Sequence, residues 1–203
     1  MNDVYYTIKD SGSSQYKEKM SRFLSFAIPV KNAEEAKIEI KRLQNEYHDS
    51  RHVCWAYMIG PDRLEWQLND NGEPSGTAGK PILGQINSVN VTDVLVVVVR
   101  YFGGIKLGTS GLIAAYREAA RLALEEAGIK EMRKKTRLSV DFPYISQEGV
   151  MRVAKGEEVE IISREFDNLC RMVIEFPESR KEEIMGKLSK VEGACVEVLP
   201  EEA

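Results

Sequence analysis

The sequence predicts an α+β protein with two domains, residues 1–135 and 136–203. Strand-like and helix-like periodicities alternate along the whole chain, and segment 131–135 is charged and lacks an apolar pattern, which predicts a boundary there. Net charge also changes at this point. Residues 1–135 hold 19 Lys and Arg against 17 Asp and Glu (+2), and residues 136–203 hold 9 against 15 (−6). A phosphate-facing surface is therefore expected in the first domain.

The first domain is predicted to be a sheet covered by helices. Asn32 is a good N-cap for an amphipathic helix over 33–48, and the run 94–99 is apolar on both faces, as in a central strand. Segment 10–21 is interpreted as a turn and a polar connection. The predicted strands are 4–8, 22–28, 52–59, 63–68 and 94–99; the predicted helices are 33–48, 81–89 and one from Thr109 or Ser110, as the cap, to Gly128.

The second domain has the order strand, helix, strand, strand, helix, strand. The segments are 137–142, 147–154, 159–166, 170–176, 180–191 and 195–199. This βαββαβ order is typical of a ferredoxin-like domain.

Composition excludes several classes of protein. Of the 203 residues 43% are apolar, enough for real cores, and the longest apolar run is far too short to cross a bilayer. No apolar signal core follows Met1, which predicts a cytoplasmic protein with no membrane partner. Cys54, Cys170 and Cys195 form no CxxC pair, so buried, reduced thiols are expected rather than disulfides or a zinc site.

Two glycine-rich loops, residues 70–81 and 100–112, are the most informative feature of the chain. Glycines with small hydroxyls expose backbone N–H groups, which suit an anion or a nucleic-acid backbone. The second loop opens onto a predicted helix N-terminus. The candidate binding residues in the loops are Glu73, Ser75, Gly76, Thr77, Lys80, Arg100, Tyr101, Phe102, Gly103, Gly104, Lys106, Gly108, Thr109, Ser110 and Gly111.

The second loop nearly imitates a nucleotide-binding P-loop. Gly103 and Gly108 have the right separation, but no lysine follows Gly108, so hydrolysis of the P-loop kind is excluded. A GxGxxG dinucleotide motif is also missing. The alternative is that these glycines only let a strand turn tightly into a closely packed helix.

Arg100, Tyr101 and Phe102 form a cation and aromatic cluster of the kind that clamps phosphates and stacks bases. Strand alternation puts the two rings on opposite faces, so at most one is a stacking platform. Alternatively, Arg100 forms a salt bridge to Glu73 or Asp70 instead of contacting a ligand. Those two carboxylates are also candidates for a general acid or base.

The pattern assigns no catalytic residue, no cofactor and no metal. His48, His52 and Cys54 are metal-ligand types, but no further cysteine or carboxylate cluster completes a shell. Capping or packed histidines are the favoured interpretation.

These motifs together resemble the IMPACT family, including its bacterial YigZ-type members. The resemblance spans nearly the whole chain, and Ser110 stands where relatives commonly have glycine. It also adds Arg22 to the candidate binding residues. The matching motifs are Ser21-Arg22-Phe23, Arg51-His52-Val53-Cys54-Trp55-Ala56, the whole of the first loop, Val98 to Gly104, Leu107 to Leu112, and Tyr116.

The resemblance implies a first domain with the α/β fold shared by a small-subunit ribosomal protein and domain IV of elongation factor G. It implies a second, ferredoxin-like domain similar to domain V of that factor. Eukaryotic relatives regulate translation in amino-acid starvation through an additional N-terminal domain. The family motifs begin almost at residue 1 here, so we expect no such domain, and that kinase-linked role is not carried over.

Three functions follow as hypotheses. The first is a non-enzymatic RNA-binding or ribosome-associated protein involved in translation regulation, with RNA or the ribosome as partner. The second is an enzyme or binding protein for a phosphate-bearing small molecule held at the helix N-terminus, with Glu73 or Asp70 as base. The third is a protein-interaction module that docks through the acidic second domain.

Overall fold

The computed structural model describes residues 3–166 and 169–200, and shows an α+β protein. The chain divides into two compact units. The N-terminal unit is Tyr5–Met132, and the C-terminal unit joins Met1–Val4 to Arg133–Ala203.

The N-terminal unit is built around a five-stranded antiparallel sheet in the order β2-β3-β7-β4-β5. A smaller sheet has the order β6-β1-β8. The elements are β1 (Val4–Ile8), β2 (Gly12–Glu18), β3 (Ser21–Pro29), α1 (Ala33–Glu46), β4 (His52–Ile59), β5 (Glu65–Asn69), α2 (Gly79–Ser88), β6 (Val91–Thr92), β7 (Val94–Tyr101), α3 (Gly108–Ala127) and β8 (Ile129–Arg133).

Strand β7 is the centre of this unit, as its valine run predicts. Val96 and Val98 pack with α2 and α3 in one apolar cluster, whereas Val97 and Val99 pack with α1 in another. Helices therefore cover both faces of the sheet, and all six residues from Val94 onward are fully buried. Burial on two faces is the reason that the strand is apolar without alternation.

The sheet register brings the second glycine loop next to the start of β4. His52 is paired with Arg100, near the end of β7, and the chain then crosses Gly103 into α3. A Cβ added at Gly103 would lie 2.1 Å from the backbone carbonyl of Met20, so only glycine permits this close approach. The candidate site therefore lies at one end of the central strands.

The C-terminal unit contains one antiparallel sheet in the order β10-β11-β9-β12. Buried residues of the strands and of both helices, such as Phe142, Phe176 and Leu188, form its core. The elements are β9 (Lys135–Phe142), α4 (Gln147–Ala154), β10 (Glu160–Glu165), β11 (Cys170–Pro177), α5 (Lys181–Leu188) and β12 (Cys195–Leu199), with 3-10 turns at Tyr144–Ser146 and Glu178–Arg180.

Most predicted elements are confirmed, but the polar connection predicted over 10–21 was wrong. The segment after residue 10 contains strand β2, whose polar alternating side chains lie at the sheet edge while Gly12 packs on Ala123 and Ala127 of α3. Residues 131–135 are occupied by the ends of β8 and β9, and β8 is exposed throughout. An exposed strand carries no apolar pattern, which is why the sequence shows none there.

The prediction that the three cysteines are buried is confirmed for two of them. Cys54 and Cys170 are buried as predicted, but Cys195 is exposed, because its strand β12 lies at the edge of the sheet.

In the described part of the chain, no helix is both long and apolar enough to span a membrane.

Candidate anion-binding site

A cavity of about 450 Å³ lies where β7 ends, β4 begins and α3 starts. It belongs entirely to the N-terminal unit. Its lining residues are Arg51, His52, Gly72, Glu73, Pro74, Arg100, Phe102, Lys106, Leu107, Gly108, Thr109 and Leu112.

A buried ion pair forms one wall of the cavity. The Arg100 Nη1 donates to Glu73 Oε1 at 2.6 Å, and the hydroxyl of Tyr116 donates to the same oxygen at 2.9 Å. The side chains of Arg100 and Glu73 are only 6% and 4% exposed. Removing one member would leave the other charged and buried without its partner, so the pair is a rigid part of the wall.

Arg100 has more contacts than this salt bridge. Its guanidinium lies 5.6 Å from the ring centroids of both Phe23 and Phe102, and Nη2 reaches the Ser21 hydroxyl at 3.4 Å. The Nε atom is buried and has no hydrogen-bond partner among the described residues. A buried donor without an acceptor is rare in native proteins and calls for an explanation.

Cys54 lies behind the ion pair and is held as a neutral thiol. Its Sγ donates to the carbonyl oxygen of Asp70 at 2.9 Å and contacts the Tyr116 hydroxyl at 3.4 Å. Burial raises the pKa of Cys54 to about 12 and also raises the pKa of Tyr116. Thiolate chemistry at neutral pH is therefore excluded for Cys54.

His52 lines the cavity in a fixed orientation. Its Nδ1 lies 2.8 Å from the carbonyl oxygen of Asn71, which can only accept, so Nδ1 carries a proton. The other ring nitrogen, Nε2, lies 3.9 Å from Glu73 Oε1. The Asn71 amide oxygen also accepts from the Val53 N–H, which locks the first loop onto β4.

The first glycine loop is filled by a carboxylate of the protein itself. Asp70 accepts hydrogen bonds from the backbone N–H groups of Gly76, Ala78 and Gly79 at 2.8 to 3.0 Å. Burial opposes ionisation of Asp70, but these three donors outweigh it and lower the pKa. Asp70 thus caps the N-terminus of α2, and these amides are occupied.

The N-terminus of α3 is open by contrast. The helix begins at Gly108, and its N-cap position is Leu107, which makes no side-chain capping bond. Its first turn contains no acidic residue. Among the described residues no carboxylate is hydrogen-bonded to the N–H groups of this turn, which carries the positive end of the helix dipole. Gly108 and Thr109 bring this turn to the cavity lining.

The predicted hydroxyl cap at Thr109 or Ser110 was wrong. Both residues lie inside the first turn, because Gly108 at φ +70° brings the chain into the helix one residue before Thr109. A left-handed φ is open to glycine at no steric cost, so the helix starts at the glycine and not at a hydroxyl.

Cations outnumber anions around the cavity. Arg51, Arg100 and Lys106 line it together with a single carboxylate, that of Glu73. Glu73 is already paired with Arg100. The side chains of Arg51 and Lys106 are exposed, so they remain free to meet an anion.

The cavity brings together six of the predicted residues and leaves ten elsewhere. The six are Glu73, Arg100, Phe102, Lys106, Gly108 and Thr109. Arg22 and Tyr101 lie on the opposite face of the sheet, where the Arg22 guanidinium covers the Tyr101 ring at 4.7 Å. The other eight lie outside the cavity lining: Ser75, Gly76, Thr77, Lys80, Gly103, Gly104, Ser110 and Gly111.

Three polar side chains at this site, those of Arg51, His52 and Tyr116, were not among the predicted binding residues. Arg51 directly precedes β4 and His52 is its first residue, and the pairing of His52 with Arg100 brings both to the cavity. Tyr116 was assigned to the apolar face of α3, and its hydroxyl contact is visible only in three dimensions. The sequence does show that Arg51 and His52 lie at the start of a predicted strand. It does not show which strand pairs with it.

The described residues contain no group of three or more His, Cys, Asp or Glu side chains that could hold a metal ion. What the arrangement offers chemically is a set of donors: two exposed cations, a helix N-terminus and a buried arginine. Such a set binds and orients an anion.

Residues 19–124 match the Impact N-terminal domain. These residues include the whole cavity lining and both glycine loops. The chain belongs to the IMPACT family. Its relatives include an IMPACT family member from Haemophilus influenzae, 33% identical over 85% of this chain and 84% of that protein.

Two other IMPACT family members extend this similarity. YvyE from Bacillus subtilis is 37% identical over 70% of this chain and 67% of its own length. YigZ from Escherichia coli is 30% identical over 89% of this chain and 90% of its own. A solved structure titled as that of a hypothetical protein covers 100% of both chains with a TM-score of 0.72 at 28% identity.

Proposed function

We propose that this IMPACT family protein is a non-enzymatic RNA-binding or ribosome-associated protein involved in translation regulation. It holds RNA phosphate at the N-terminus of α3. The observation that carries the proposal is the contrast between the two loops: Asp70 fills the first, whereas the second offers free N–H groups beside Arg51 and Lys106. The link of the IMPACT family to translation regulation favours RNA as the source of the phosphate.

Phe102 supplies a surface for a base next to the phosphate position. Its side chain is 43% exposed, and its ring lies over the Arg100 guanidinium. Stacking of a base on an aromatic ring contributes about 1–3 kcal/mol and tolerates any sequence. Tyr101 has no such role in the proposal, because its hydroxyl is engaged with Asp49 on the other face.

Arg100 contributes by building the wall rather than by reaching out to RNA. Its charge is neutralised by Glu73, and its side chain is almost fully buried. The direct contacts are therefore assigned to Arg51, Lys106 and the first turn of α3. The predicted candidates on the first loop, among them Ser75, Thr77 and Lys80, lie outside the cavity lining and are assigned no contact.

We also propose that the two units have the folds that the family resemblance implies. We infer a domain boundary near residue 135, close to the division between Met132 and Arg133. The βαββαβ order with sheet order β10-β11-β9-β12 supports a ferredoxin-like C-terminal domain. The antiparallel sheet flanked by α1, α2 and α3 supports the ribosomal-protein-like assignment for the N-terminal domain.

The test is co-sedimentation with ribosomes over a series of salt concentrations. Wild type is compared with Lys106→Ala and with Lys41→Ala, whose exposed lysine lies on α1 across the sheet from the cavity. We expect salt-sensitive binding that Lys106→Ala weakens and Lys41→Ala leaves unchanged. Absence of binding at low salt, or equal loss in both variants, contradicts the proposal.

A further inference from the structure

The cavity at α3 is closed on one side by buried groups, which limits what kind of phosphate it can hold. Its lining includes the buried Arg100 and Glu73 pair, Leu112, and Gly72 and Pro74 of the first loop. Its volume of about 450 Å³ is that of a small-molecule pocket rather than a flat face.

Charge distinguishes a chain end from a chain interior. Three cations and one carboxylate line the cavity, which leaves two positive charges in excess when His52 is neutral. The open first turn of α3 adds the positive end of a helix dipole. An internal phosphodiester carries one negative charge, whereas a terminal phosphomonoester carries nearly two at neutral pH.

Arg100 adds a buried cation to the cavity wall, and one of its donors is unsatisfied. Its side chain lines the cavity and is 94% buried, being 6% exposed, yet its Nε–H meets no acceptor among the described residues. The protein's own acceptors are already used: Glu73 binds Nη1 and Ser21 binds Nη2. The Nε atom itself is covered by protein, so an anion in the cavity meets the positive charge of the guanidinium and not this N–H.

We propose that the cavity is a binding site for a terminal phosphomonoester, with Lys106, Arg51 and the first turn of α3 on the phosphate and Phe102 against the attached base. This inference rests on the proposed RNA-binding function for its preferred source, the phosphorylated end of an RNA strand. A free mononucleotide presents the same chemistry. The site recognises the charge of a terminal phosphate and has no preference for the base sequence.

The test uses the full-length protein and two short oligoribonucleotides of one sequence, with and without a 5′-phosphate. Fluorescence anisotropy gives their affinities, and AMP, adenosine and inorganic phosphate serve as competitors. We expect the phosphorylated strand to bind about tenfold tighter or more, which is the scale of one additional charge at a partly buried helix N-terminus. AMP should displace it, and adenosine should not.

A variant that fills the site with a carboxylate gives the control. Thr109→Asp copies at α3 what Asp70 does at α2, so it should reduce the preference for the phosphorylated strand to about onefold. Asn45→Asp makes the same charge change on exposed α1, across the sheet, and should keep the preference. Loss of the preference in both variants would show a general charge effect and overturn the site.

The outcomes separate this inference from the proposed function. Equal binding of the two strands overturns the terminal-phosphate site and leaves RNA binding standing. Binding of AMP or phosphate without binding of either strand supports the site, assigns it to a free small molecule and contradicts RNA as the ligand. No binding of any probe overturns both.

Discussion

At the scale of single residues, the site is defined by which charges are neutralised inside the protein. Glu73 and Arg100 satisfy one another, and Tyr116 adds a second donor to the same carboxylate oxygen. Arg51 and Lys106 have exposed side chains beside them. The sequence puts Arg100 and Glu73 forward both as ligand contacts and as a salt bridge, and burial shows that the salt bridge is formed.

Arg100→Ala is expected to destabilise the protein rather than act as a clean binding variant. Loss of one partner from a buried ion pair costs about 3–5 kcal/mol, because Glu73 keeps its charge without compensation. Urea denaturation measures the change. Arg42→Ala, which breaks the exposed pairs with Glu39 and Glu46, should cost less than about 1 kcal/mol. Equal effects of the two variants would contradict the buried pair.

The three cysteines are expected to differ in reactivity. Cys54 is buried with a pKa of about 12, Cys170 is buried, and Cys195 is exposed. An aromatic disulfide reagent should therefore modify one thiol quickly in the native protein and the other two only in urea. Cys195→Ser should remove the fast reaction. A fast reaction that persists in this variant would mean that Cys54 or Cys170 is accessible as a thiolate.

At the scale of elements, two helices begin after glycine-rich loops and their N-termini are treated in opposite ways. Asp70 reaches the N–H groups of Ala78 and Gly79 at the start of α2, so this end is closed by a charge from outside the helix. No carboxylate of residues 3–166 or 169–200 caps the start of α3 in this way. Glycines and small hydroxyls thus precede both helices. At α2 the backbone N–H groups are bonded to Asp70, whereas at α3 they are not bonded to a carboxylate of the described residues.

The variant Asp70→Asn tests whether the charge of Asp70 caps the N-terminus of α2. The folded-state pKa of Asp70 is lowered from its ordinary 3.8, so the carboxylate stabilises the fold above pH 3.8 and this contribution is lost as pH falls through the lower folded value. Asparagine keeps one acceptor oxygen and loses the bond from Gly76, so we expect a destabilisation of about 1–2 kcal/mol at pH 7.

That difference between wild type and Asp70→Asn should shrink as the pH falls below 3.8, since protonated aspartate resembles asparagine. Urea denaturation at pH 7 and at about pH 3 gives both values. Asp10→Asn, at an exposed carboxylate, should change little at either pH. A difference of unchanged size at low pH would show that the charge of Asp70 does not cap α2.

The elements also show why the sequence predicts much of the fold and less of the site. The valine run of β7 and the spacing of apolar residues along α1 and α3 reflect burial, which produces a local periodicity in the sequence. Strand β2 was missed because an edge strand of Ser, Gln and Lys has no such period. His52 and Tyr116 were missed as partners of Glu73 because their contacts depend on strand pairing and helix packing, which no local pattern specifies.

At the scale of the whole molecule, a small basic site sits in a protein of negative net charge. The sequence carries −4 overall, and the positive excess of residues 1–135 is only 2. Like charges repel a phosphate backbone over about 8–10 Å at physiological salt. The proposed RNA contact is therefore expected at one point and not along an extended track.

The salt dependence of RNA binding should show this small footprint. Each phosphate neutralised on a single strand contributes a slope of about −0.7 to the plot of log affinity against log salt. With Arg51 and Lys106 as the free cations of the cavity, we expect a total of about −1.4 and a reduction of about 0.7 in Lys106→Ala. Lys41→Ala should keep the full slope, since α1 lies on the far face of the sheet. A slope steeper than about −4 would require phosphate contacts well beyond the cavity, and the binding surface would then have to include basic residues that lie elsewhere.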